Sequence, residues 1–472
     1  MKFVFAASAV GLLLALAACT STVSPPEPPA QQAEPARPKE IKVGLMLPLS
    51  GPAAALGQDM LQAAQMALFD VGPNDVVLLP SDTGGTPEGA RRAATELIGQ
   101  NVEVIIGPLY SQAVQATSPL AQQAGIPVLA FSNVSSVATT GTYLLGFRPE
   151  EQVARVVQFA LEHVERRPDG AVGSDASGAQ GSQSSDFGTM VDRGPVRIAA
   201  LAPDDAYGAT ALQALRRAVI GGGGELAMTA FYPPDLADPS AVVRQVAGFD
   251  QRHAALEAER RRLEAQGDEA AAQDLRRLEI LDTLGPPPFD AILIADGGDR
   301  LRSVASLLTF YDVDPANTRF LGTMRWQDDP RVLEETALRS GWIAALPPET
   351  MRAFSNRYQS AFASQPQQLA ALAYDATALV VIVARDLGDR DFESLTLTNP
   401  EGFAGATGLF RLRPDGLADH GLAILEVDGA ATRMIDPAPS SLVDQLAARE
   451  NPPLAPAQMA PATQPLPAGS TQ

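Results

Sequence analysis

The sequence predicts an α/β protein made of two lobes, each built on a doubly wound parallel sheet. Two observations lead to this prediction. Short apolar, strand-like runs alternate with longer segments whose apolar residues recur at helical spacing, a pattern typical of parallel sheets covered by helices on both faces. The chain has 472 residues, 46% of them hydrophobic, and is therefore long enough to fill two hydrophobic cores.

The chain begins with a segment typical of a secretory signal. After Lys2 comes an apolar run of about 15 residues, shorter than the roughly 20 that a membrane-spanning helix needs. The residues Leu16-Ala17-Ala18-Cys19 resemble a bacterial lipobox, which implies cleavage after residue 18 and lipidation of Cys19. The alternative is an unmodified cysteine beside an ordinary signal. Two or three acyl chains would anchor the protein stably to a membrane through its N-terminal lipid.

The signal comprises residues 1–18. It is followed by a flexible linker, the leash, and then by the first lobe. Residues 19–39 are rich in proline, alanine and polar side chains, which predicts a disordered leash. The first lobe starts with the strand-like "EIKVGLMLPLSG", a turn and the helix-like "AALGQDMLQAAQMALFDV". Strand and helix patterns then alternate as far as the strand-like "IPVLAF".

A second series of helices and strands runs from "EEQVARVVQFALEHV" to "TRFLGT" and contains two insertions. Residues 166–194 are rich in glycine, serine and aspartate, which predicts disorder. Residues 250–285 carry Leu256 and Leu263 one heptad apart and then break at a glycine, which predicts a charged helical hairpin. This hairpin either packs against the second lobe or forms a surface for a partner. Residues 438–472 predict a disordered tail.

Charge and the scarcity of reactive side chains exclude several classes of function. A net charge of −20 excludes nucleic acid as a partner, because phosphate backbones bind basic surfaces. The single cysteine excludes internal disulfides and cysteine metal sites. The histidines, His163, His253 and His420, lie in no catalytic or metal-binding motif, and the carboxylates form no recognisable catalytic pair. The sequence therefore predicts a protein that is not an enzyme and has no metal or cofactor.

Four stretches resemble the type 1 periplasmic binding proteins of the leucine/isoleucine/valine receptor kind. They are "IKVGLMLPLSGPAAALGQDMLQAAQMAL", "VEVIIGPLYSQAVQATSPLAQQAGIPVLAFSN", "APDDAYGATAL" and "FAGATGLFRLRPDG", and the resemblance runs from about Ile41 to about Asp436. In that family two lobes are joined by three crossing segments and close on a ligand at the carboxyl ends of the strands. The crossings are expected near Phe147, Ala345 and Gly408. The implied lobes are 40–146 plus about 346–407, and 147–345 plus about 408–437.

The resemblance also implies which residues line the ligand site. Amino-acid receptors of this family hold the ligand carboxylate with hydroxyls and amides of the first lobe. The matching residues are Ser111, in the Gly-x-x-x-Ser pattern that starts at Gly107, and Ser135 and Ser136. Tyr207 matches a tyrosine that covers the ligand from the second lobe. Capping of a helix is the alternative role of Ser111.

The acid that should bind the ligand ammonium departs from the family pattern. Two residues after the glycine that follows the second-lobe strand stands Met324, and a thioether cannot neutralise a buried cation. The neighbouring Arg325 would repel it. The carboxylates that remain as substitutes are Asp299 in "DGGDR", which is a candidate ligand-binding residue, and Asp328 or Asp329 in a rerouted loop.

The changed acid position, the lipid anchor, the leash and the hairpin are together similar to the penicillin-binding-protein activators, lipoproteins of the same fold that stimulate peptidoglycan synthases. The expected function is a non-catalytic regulator of peptidoglycan synthesis with a penicillin-binding protein as its partner. Thr20 stands where aspartate would favour inner-membrane retention, so the expected location is the outer membrane, facing the periplasm. The alternative function is the solute-binding component of an ABC importer, with a permease as partner and an amino acid or amide as ligand.

Overall fold

The computed structural model describes residues 40–72, 75–166, 194–235, 238–386, 392 and 394–443. Several predicted features lie outside these residues: the signal peptide, the lipidated Cys19, the leash, almost all of the 166–194 insertion and the tail beyond residue 443. Among the described helices, none has the combination of length and apolar character that a bilayer span requires.

The strands of the described residues are short and mostly apolar, as expected for strands buried between helices. In chain order they are β1 (Ile41–Leu47), β2 (Val76–Asp82), β3 (Val104–Ile106), β4 (Val128–Ala130), β5 (Thr142–Leu144), β6 (Arg197–Pro203), β7 (Glu225–Tyr232), β8 (Ala291–Ile294), β9 (Arg319–Gly322), β10 (Trp342–Ala345), β11 (Phe403–Gly405), β12 (Gly408–Leu412), β13 (Ala418–His420), β14 (Ala423–Asp428) and β15 (Ala431–Asp436).

Several helices begin at residues whose side chains satisfy the free backbone amides of the first turn. Thr86, Asp205 and Asp268 each accept a hydrogen bond from the amide three residues later. The helices are α1 (Ala54–Val71), α2 (Pro87–Gly99), α3 (Ser111–Gln123), α4 (Pro149–His163), α5 (Ala206–Gly221), α6 (Ser240–Val246), α7 (Phe249–Gln266), α8 (Glu269–Leu278), α9 (Gly298–Phe310), α10 (Pro330–Leu333), α11 (Pro348–Phe362), α12 (Ala370–Asp386) and α13 (Ser394–Leu397).

The first sheet has five parallel strands in the order β2-β1-β3-β4-β5. Helices cover both faces: α1 packs against α12 and α11, and α2 packs against α3. Alternate residues of one strand therefore enter different cores. Val104 and Ile106 of β3 belong to the core that contains α1, whereas Ile105 belongs to the core beneath α2 and α3.

The second sheet has seven strands in the order β15-β14-β10-β9-β8-β6-β7. The five strands from β6 to β10 are parallel, and the hairpin β14–β15 adds an antiparallel edge. Helices α4 and α5 pack together, as do α6 and α9. The predicted α/β class with two parallel sheets is confirmed.

The described chain passes between the two sheets in three places. After β5 ends at Leu144 the chain enters α4, which packs against α5 of the second sheet. After β10 ends at Ala345 it returns through α11 and α12 to the first sheet. It then forms the small antiparallel sheet β11-β12-β13 before entering β14. Leu417 of this small sheet region bridges to Leu144, so the passages lie side by side.

Trp326 is the largest fully buried side chain of the described residues and lies just after β9. Its indole N–H donates to the carbonyl of Ile294 at 3.1 Å. Gly322 and Gly341 leave space for the ring, since a Cβ at these positions would lie 2.1 Å and 2.7 Å from indole carbons. The loop after β9 is therefore held to the core of the second sheet, which positions the residues around it.

The residues predicted as a charged hairpin form helices α7 and α8. Gly267 ends α7 in the left-handed conformation at φ 66°, and Asp268 caps α8. The hairpin has a small apolar core of its own, separate from the main core, formed by Leu256, Leu263, Ala271 and Leu278.

Candidate functional site

The candidate site lies where the parallel strands of the two sheets end. In open parallel sheets, ligands bind beyond the carboxyl ends of the strands, because loops and helix starts meet there. The predicted serines of the first lobe lie in the segments that follow β3 and β4: Ser111 starts α3, and Ser135 and Ser136 lie in a 3₁₀ turn. Tyr207 and Asp299 lie in the first turns of α5 and α9, which follow β6 and β8, and Met324 starts a 3₁₀ turn after β9.

Ser111 is the first residue of α3 and is half-buried. The capping position belongs to Tyr110, whose side chain makes no capping hydrogen bond, so Ser111 does not cap this helix. Gly107 sets the turn before it: its φ is 90°, and a Cβ there would lie 2.1 Å from the carbonyl oxygen of Met46. The backbone conformation of this turn and the lack of room for a Cβ therefore explain the glycine of the Gly-x-x-x-Ser pattern.

Ser135 opens a short 3₁₀ turn after β4, and its hydroxyl donates to Oε1 of Glu150 at 2.7 Å. Glu150 lies in the first turn of α4. Its second oxygen, Oε2, is shielded from solvent and has no hydrogen-bond partner among the described residues. Ser136, the next residue of the turn, is exposed. Glu150 was not predicted as a site residue, because 15 positions separate it from its partner Ser135.

Tyr207 begins the second-lobe side of the site. Its hydroxyl lies 2.8 Å from the hydroxyl of Thr323, which follows β9, and its ring covers the guanidinium of Arg325 at 4.5 Å. Burial raises the pKa of Tyr207 to about 12, so the phenol stays protonated at neutral pH. The structure thus brings Tyr207 together with the loop that contains Met324.

Met324 is buried in the main core and carries no exposed functional group. Its amide donates to Oε1 of Gln152 at 2.9 Å, and the side chain of Gln152 donates to the carbonyls of Phe147 and Arg148. Gln152 therefore joins the loop after β9 to the first passage between the sheets. A carboxylate in place of the Met324 side chain would be buried among apolar groups.

The substitute acids on the second lobe have other partners. Asp299 pairs with Arg302 at 3.3 Å and with Arg331 at 3.5 Å, and its side chain is 59% exposed. Asp329 caps α10 by accepting from the amide of Arg331 at 3.0 Å. Asp328 is exposed. None of these three is a buried carboxylate without a partner.

Asp296, which was not predicted, is the fully buried acid of this region. It accepts from Tyr232 at 2.7 Å, from the amide of Gly297 at 2.8 Å, and from two nitrogens of Arg300 at 2.7 and 2.8 Å. Burial alone would raise its pKa, but these hydrogen bonds outweigh it and hold the pKa of Asp296 below its ordinary value. Its position directly after an apolar strand in "ILIADGG" is the signal that could have identified it.

A cavity of about 350 Å³ opens beside this acid. Two arginines line it, Arg300 and Arg325, and so do three aspartates: Asp299, Asp328 and Asp329. Arg325 approaches Asp296 at 3.8 Å, so both cations are directed at the same buried carboxylate. The negative charge of Asp296 is therefore neutralised by arginines of the protein itself.

A buried network of charges joins the first and third passages between the sheets. Arg148 pairs with Glu151 and lies 3.8 Å from Asp419, which also pairs with Arg411. Nδ1 of His420 lies 3.0 Å from the second oxygen of Glu151. All five side chains are almost completely buried. Loss of one member would leave a buried charge uncompensated, so the network holds the passages in register.

Comparison with protein families agrees with this architecture. The family model described as "Periplasmic binding protein" matches residues 40–432, most of the chain. The chain belongs to the periplasmic binding protein family. Membership confirms the resemblance stated from the sequence to the leucine/isoleucine/valine type, and it indicates a location in the periplasm or cell envelope.

Two curated relatives are similar to parts of the chain. The uncharacterized protein RP748 of Rickettsia prowazekii is 24% identical over 125 residues, which is 26% of this chain and 33% of that protein. The Leu/Ile/Val-binding protein BraC3 of Rhizobium johnstonii is 24% identical over 134 residues, which is 26% of this chain and 36% of that protein. The matched region thus spans about a third of each relative.

A solved structure of the family superposes over most of the chain. It is a branched-chain amino acid ABC transporter periplasmic ligand-binding protein from Burkholderia xenovorans, with a TM-score of 0.59 at 16% identity. The match covers 86% of this chain and 98% of the other. At this identity the likeness establishes the shared fold.

Proposed function

We propose that the protein is a non-catalytic, lipid-anchored protein of the cell envelope that uses the binding-protein fold as a docking body. We propose further that its partner is a peptidoglycan synthase of the penicillin-binding class, which the protein activates from the outer membrane. The observation that carries the docking part is the α7–α8 hairpin and the apolar surface at its base.

The hairpin adds surface to the second lobe instead of filling the main core. Its four buried apolar residues form a core of their own, so the element is a separate small packing unit. A solute site at the strand ends does not need such an element, because strand-end loops alone build the site in this fold. The hairpin therefore has a role other than ligand binding.

Polar contacts hold the hairpin in one position. Arg252 of α7 is buried and donates to the carbonyl of Asp312 at 2.8 and 2.9 Å and to that of Tyr311 at 3.2 Å. Thr283, after α8, donates to the carboxylate of Asp312. These contacts join the base of the hairpin to the end of α9. A preformed surface of this kind binds a partner with little loss of conformational entropy.

Large apolar side chains remain exposed at this base. Ile280 is 86% exposed, Phe310 is 73% exposed and Leu281 is 41% exposed. We call Ile280, Leu281 and Phe310 the junction patch. Exposed apolar groups on a rigid support are typical of protein interaction sites. Burial of the patch against a partner would stabilise the complex through the hydrophobic effect.

The test is binding of a purified bifunctional peptidoglycan synthase from the same organism to the full-length protein in detergent. The double variant Ile280→Ser/Phe310→Ser should weaken binding at least about tenfold, as expected for two hot-spot side chains, and should reduce stimulation of glycan polymerisation. Phe69→Ser is the matched control, because Phe69 is 84% exposed but lies at the end of α1 in the first lobe. Absence of wild-type binding, or equal loss in the control, would contradict the proposal.

Anchoring is tested separately. Cys19→Ser removes the sulfur atom to which the lipid would be attached. Without this lipid, the protein should move from the membrane fraction to the soluble periplasmic fraction. Retention of the variant in outer-membrane vesicles would contradict anchoring at Cys19.

A second candidate function is a solute receptor of an ABC importer, with a permease as its partner. The similarity to the BraC3 protein and to the Burkholderia ligand-binding protein favours it. The proposed contacts are Ser111, Ser135 and Ser136 from the first lobe and Tyr207 from the second, with Asp299 at the rim. A thermal-shift screen against amino acids and amides tests it: stabilisation by one ligand, abolished by Ser136→Ala, supports the receptor, and no stabilisation contradicts it.

A further inference from the structure

Acidic side chains surround the junction patch. They flank its apolar residues in the chain, and all of them are exposed. We call them the acidic rim: Glu279, Asp282, Asp312 and Asp314. The stretches 279–284 and 310–317, which form the patch and its rim, contain no lysine or arginine. Charge of a single sign around an apolar surface allows that surface to select partners by their charge.

Hydrogen bonds bring the two stretches together. Thr283 donates to the carboxylate of Asp312, and the buried Arg252 donates to the carbonyls of Tyr311 and Asp312. The amide of Leu284 also donates to the carbonyl of Arg252 at 3.0 Å. The apolar residues of the patch and the acids of its rim therefore belong to one region of the surface, although 29 positions separate Thr283 from Asp312 in the chain.

Phe310 is exposed but is supported by other rings. Its ring meets that of Tyr311 edge to face at 5.2 Å between centroids, and Tyr311 in turn contacts Phe249 at 5.4 Å. The guanidinium of Arg244 covers Phe249 at 5.5 Å. An aromatic side chain held in this way loses little conformational entropy when a partner buries it. Single exposed apolar residues are common on protein surfaces, whereas three of them on one supported region are typical of an interface.

The two rim acids that follow α8 are not paired with cations. No ion pair of the described residues involves Glu279 or Asp282. Arg260 and Arg277, which lie near them, pair with acids of their own helices at 2.8 and 3.4 Å. Arg276 is exposed on α8 and can offset one charge of the rim.

The two rim acids that follow α9 have partners, of which only one is charged. Asp314 accepts from the amide of Ala316 at 2.9 Å and from the side chain of Asn317 at 2.7 Å, and both donors are neutral. Asp312 lies 3.8 Å from Arg252. Four rim acids against Arg252 and the exposed arginine of α8 leave a net charge of −2 around the patch. The surface is therefore apolar at its centre and negative at its edge.

This charge disfavours two other occupants of the patch. Membranes that carry anionic lipids have a negative surface, which would repel the rim. In a symmetric dimer the same patch faces itself, so the acids of one copy would meet those of the other. The net charge of −20 on the whole chain adds to both repulsions. A basic segment of another protein is instead attracted to the rim.

We infer that the junction patch binds a cationic segment of its protein partner, in which lysine or arginine side chains lie next to one or two apolar side chains. The apolar side chains are buried against Ile280, Leu281 and Phe310, and the cations pair with the acidic rim. The apolar contact supplies most of the affinity, whereas the charges increase the rate of association and exclude other partners. The inference rests on the proposed role of the junction patch as a docking surface.

The first test measures how fast the purified bifunctional peptidoglycan synthase associates with the full-length protein in detergent. Raising the salt concentration from about 50 to about 500 mM should lower the association rate constant at least about fivefold, because salt shortens the range over which charges interact. The variant Glu279→Lys/Asp282→Lys should lower this rate constant at least about tenfold at the lower salt concentration, and should change the dissociation rate constant less.

The matched control is Glu264→Lys/Glu334→Lys, which changes the net charge by the same amount at exposed positions. Glu264 lies near the tip of the hairpin. Glu335, next to Glu334, pairs with Arg302 near the start of α9, whereas Phe310 ends that helix. The control should keep the wild-type association rate constant within about twofold, because charges beyond a Debye length are screened. Both variants should match the wild type in circular dichroism and thermal unfolding.

A second probe tests the same chemistry without the synthase. An amphipathic peptide of leucine and lysine, and its counterpart of leucine and glutamate, are titrated against the full-length protein in nanodiscs of phosphatidylcholine, with empty nanodiscs as the blank. The leucine/lysine peptide should bind, and the leucine/glutamate peptide should not. The Kd of the bound peptide should rise at least about fivefold in Ile280→Ser/Phe310→Ser and in Glu279→Lys/Asp282→Lys, but not in the control.

The two measurements distinguish failure of the inference from failure of the docking proposal. If synthase binding is lost in Ile280→Ser/Phe310→Ser but is insensitive to salt and to Glu279→Lys/Asp282→Lys, the inference is overturned and the docking proposal stands. Equal effects of the rim variant and the control also overturn it. If the synthase does not bind at all, the docking proposal fails and the peptide decides: binding that depends on both patch and rim supports the inference, and any other result overturns it.

Discussion

Asp375 is a buried carboxylate that makes the stability of the protein depend on pH. It lies on α12, is 2% exposed, and accepts from the amides of Ala406 at 2.6 Å and Thr407 at 2.9 Å. The hydroxyl of Thr407 also donates to it. Burial raises the pKa of Asp375 to about 6, although these hydrogen bonds and the nearby His420 act in the opposite direction.

The direction of this shift determines the sign of the effect. The ordinary value is 3.8, so the folded protein binds the proton of Asp375 more tightly than the unfolded chain does. Stability from this group therefore increases as the pH falls from about 6 toward 4, and the benefit is absent above the folded pKa. A difference of about two pKa units corresponds to about 3 kcal/mol in the free energy of unfolding.

The assay is urea unfolding of the wild type and of Asp375→Asn between pH 4 and pH 7.5, followed by circular dichroism. Asparagine does not ionise, so the free energy of unfolding of the wild type relative to the variant should rise by about 3 kcal/mol on acidification across this range. The hydrogen-bond acceptor lost in the variant lowers its free energy of unfolding by the same amount at every pH. This loss therefore does not change how the difference between the two proteins depends on pH. Parallel pH profiles of the two proteins would refute the reasoning.

Three further predictions concern buried contacts. Trp326→Ala should lower the free energy of unfolding by about 3–5 kcal/mol, because the indole would leave a cavity that its neighbours cannot fill; a loss below about 1 kcal/mol in urea unfolding would contradict this. Asp296→Asn should cost about 3 kcal/mol at pH 7, because it leaves Arg300 without its carboxylate. Since the pKa of Asp296 is lowered, its contribution is lost as the pH falls through the folded pKa, so the two proteins should converge in acid, and a constant gap would be inconsistent with the pair. Arg252→Ala should accelerate amide hydrogen exchange in α7 and α8, whereas Arg261→Ala, exposed on the same helix, should not; equal exchange in both would argue against the anchoring role.

The regular elements were predictable because their signal is local. Strands β1, β3 and β6 are short apolar runs, and the helices after them carry apolar residues at helical spacing. Each strand and helix can therefore be predicted from its own stretch of sequence. The small sheet β11–β13 was not predicted. Its strands have three to five residues, too few for a periodic pattern, and they are held by antiparallel pairing with one another.

The candidate site was predictable only in part. The resemblance to the family selected Ser111 and Tyr207 as candidates, and counting from Gly322 drew attention to Met324. Asp299 was selected as a substitute acid, and the structure places it in exposed ion pairs with arginines. The sequence prediction did not include Asp296, whose partner Tyr232 is 64 positions away in the chain.

By itself the sequence determined the α/β class, the two sheets, the family and the helical hairpin, because these depend on hydrophobic periodicity and on contiguous motifs. Only the tertiary structure decided which carboxylates are neutralised and which are not. Asp296 and Glu150 are both acids near strand or helix ends, yet Asp296 is paired with arginines, whereas one oxygen of Glu150 has no donor among the residues that the structure describes. Their difference depends on side chains that are distant in the chain, and such partners become neighbours only when the sheets and passages have folded together.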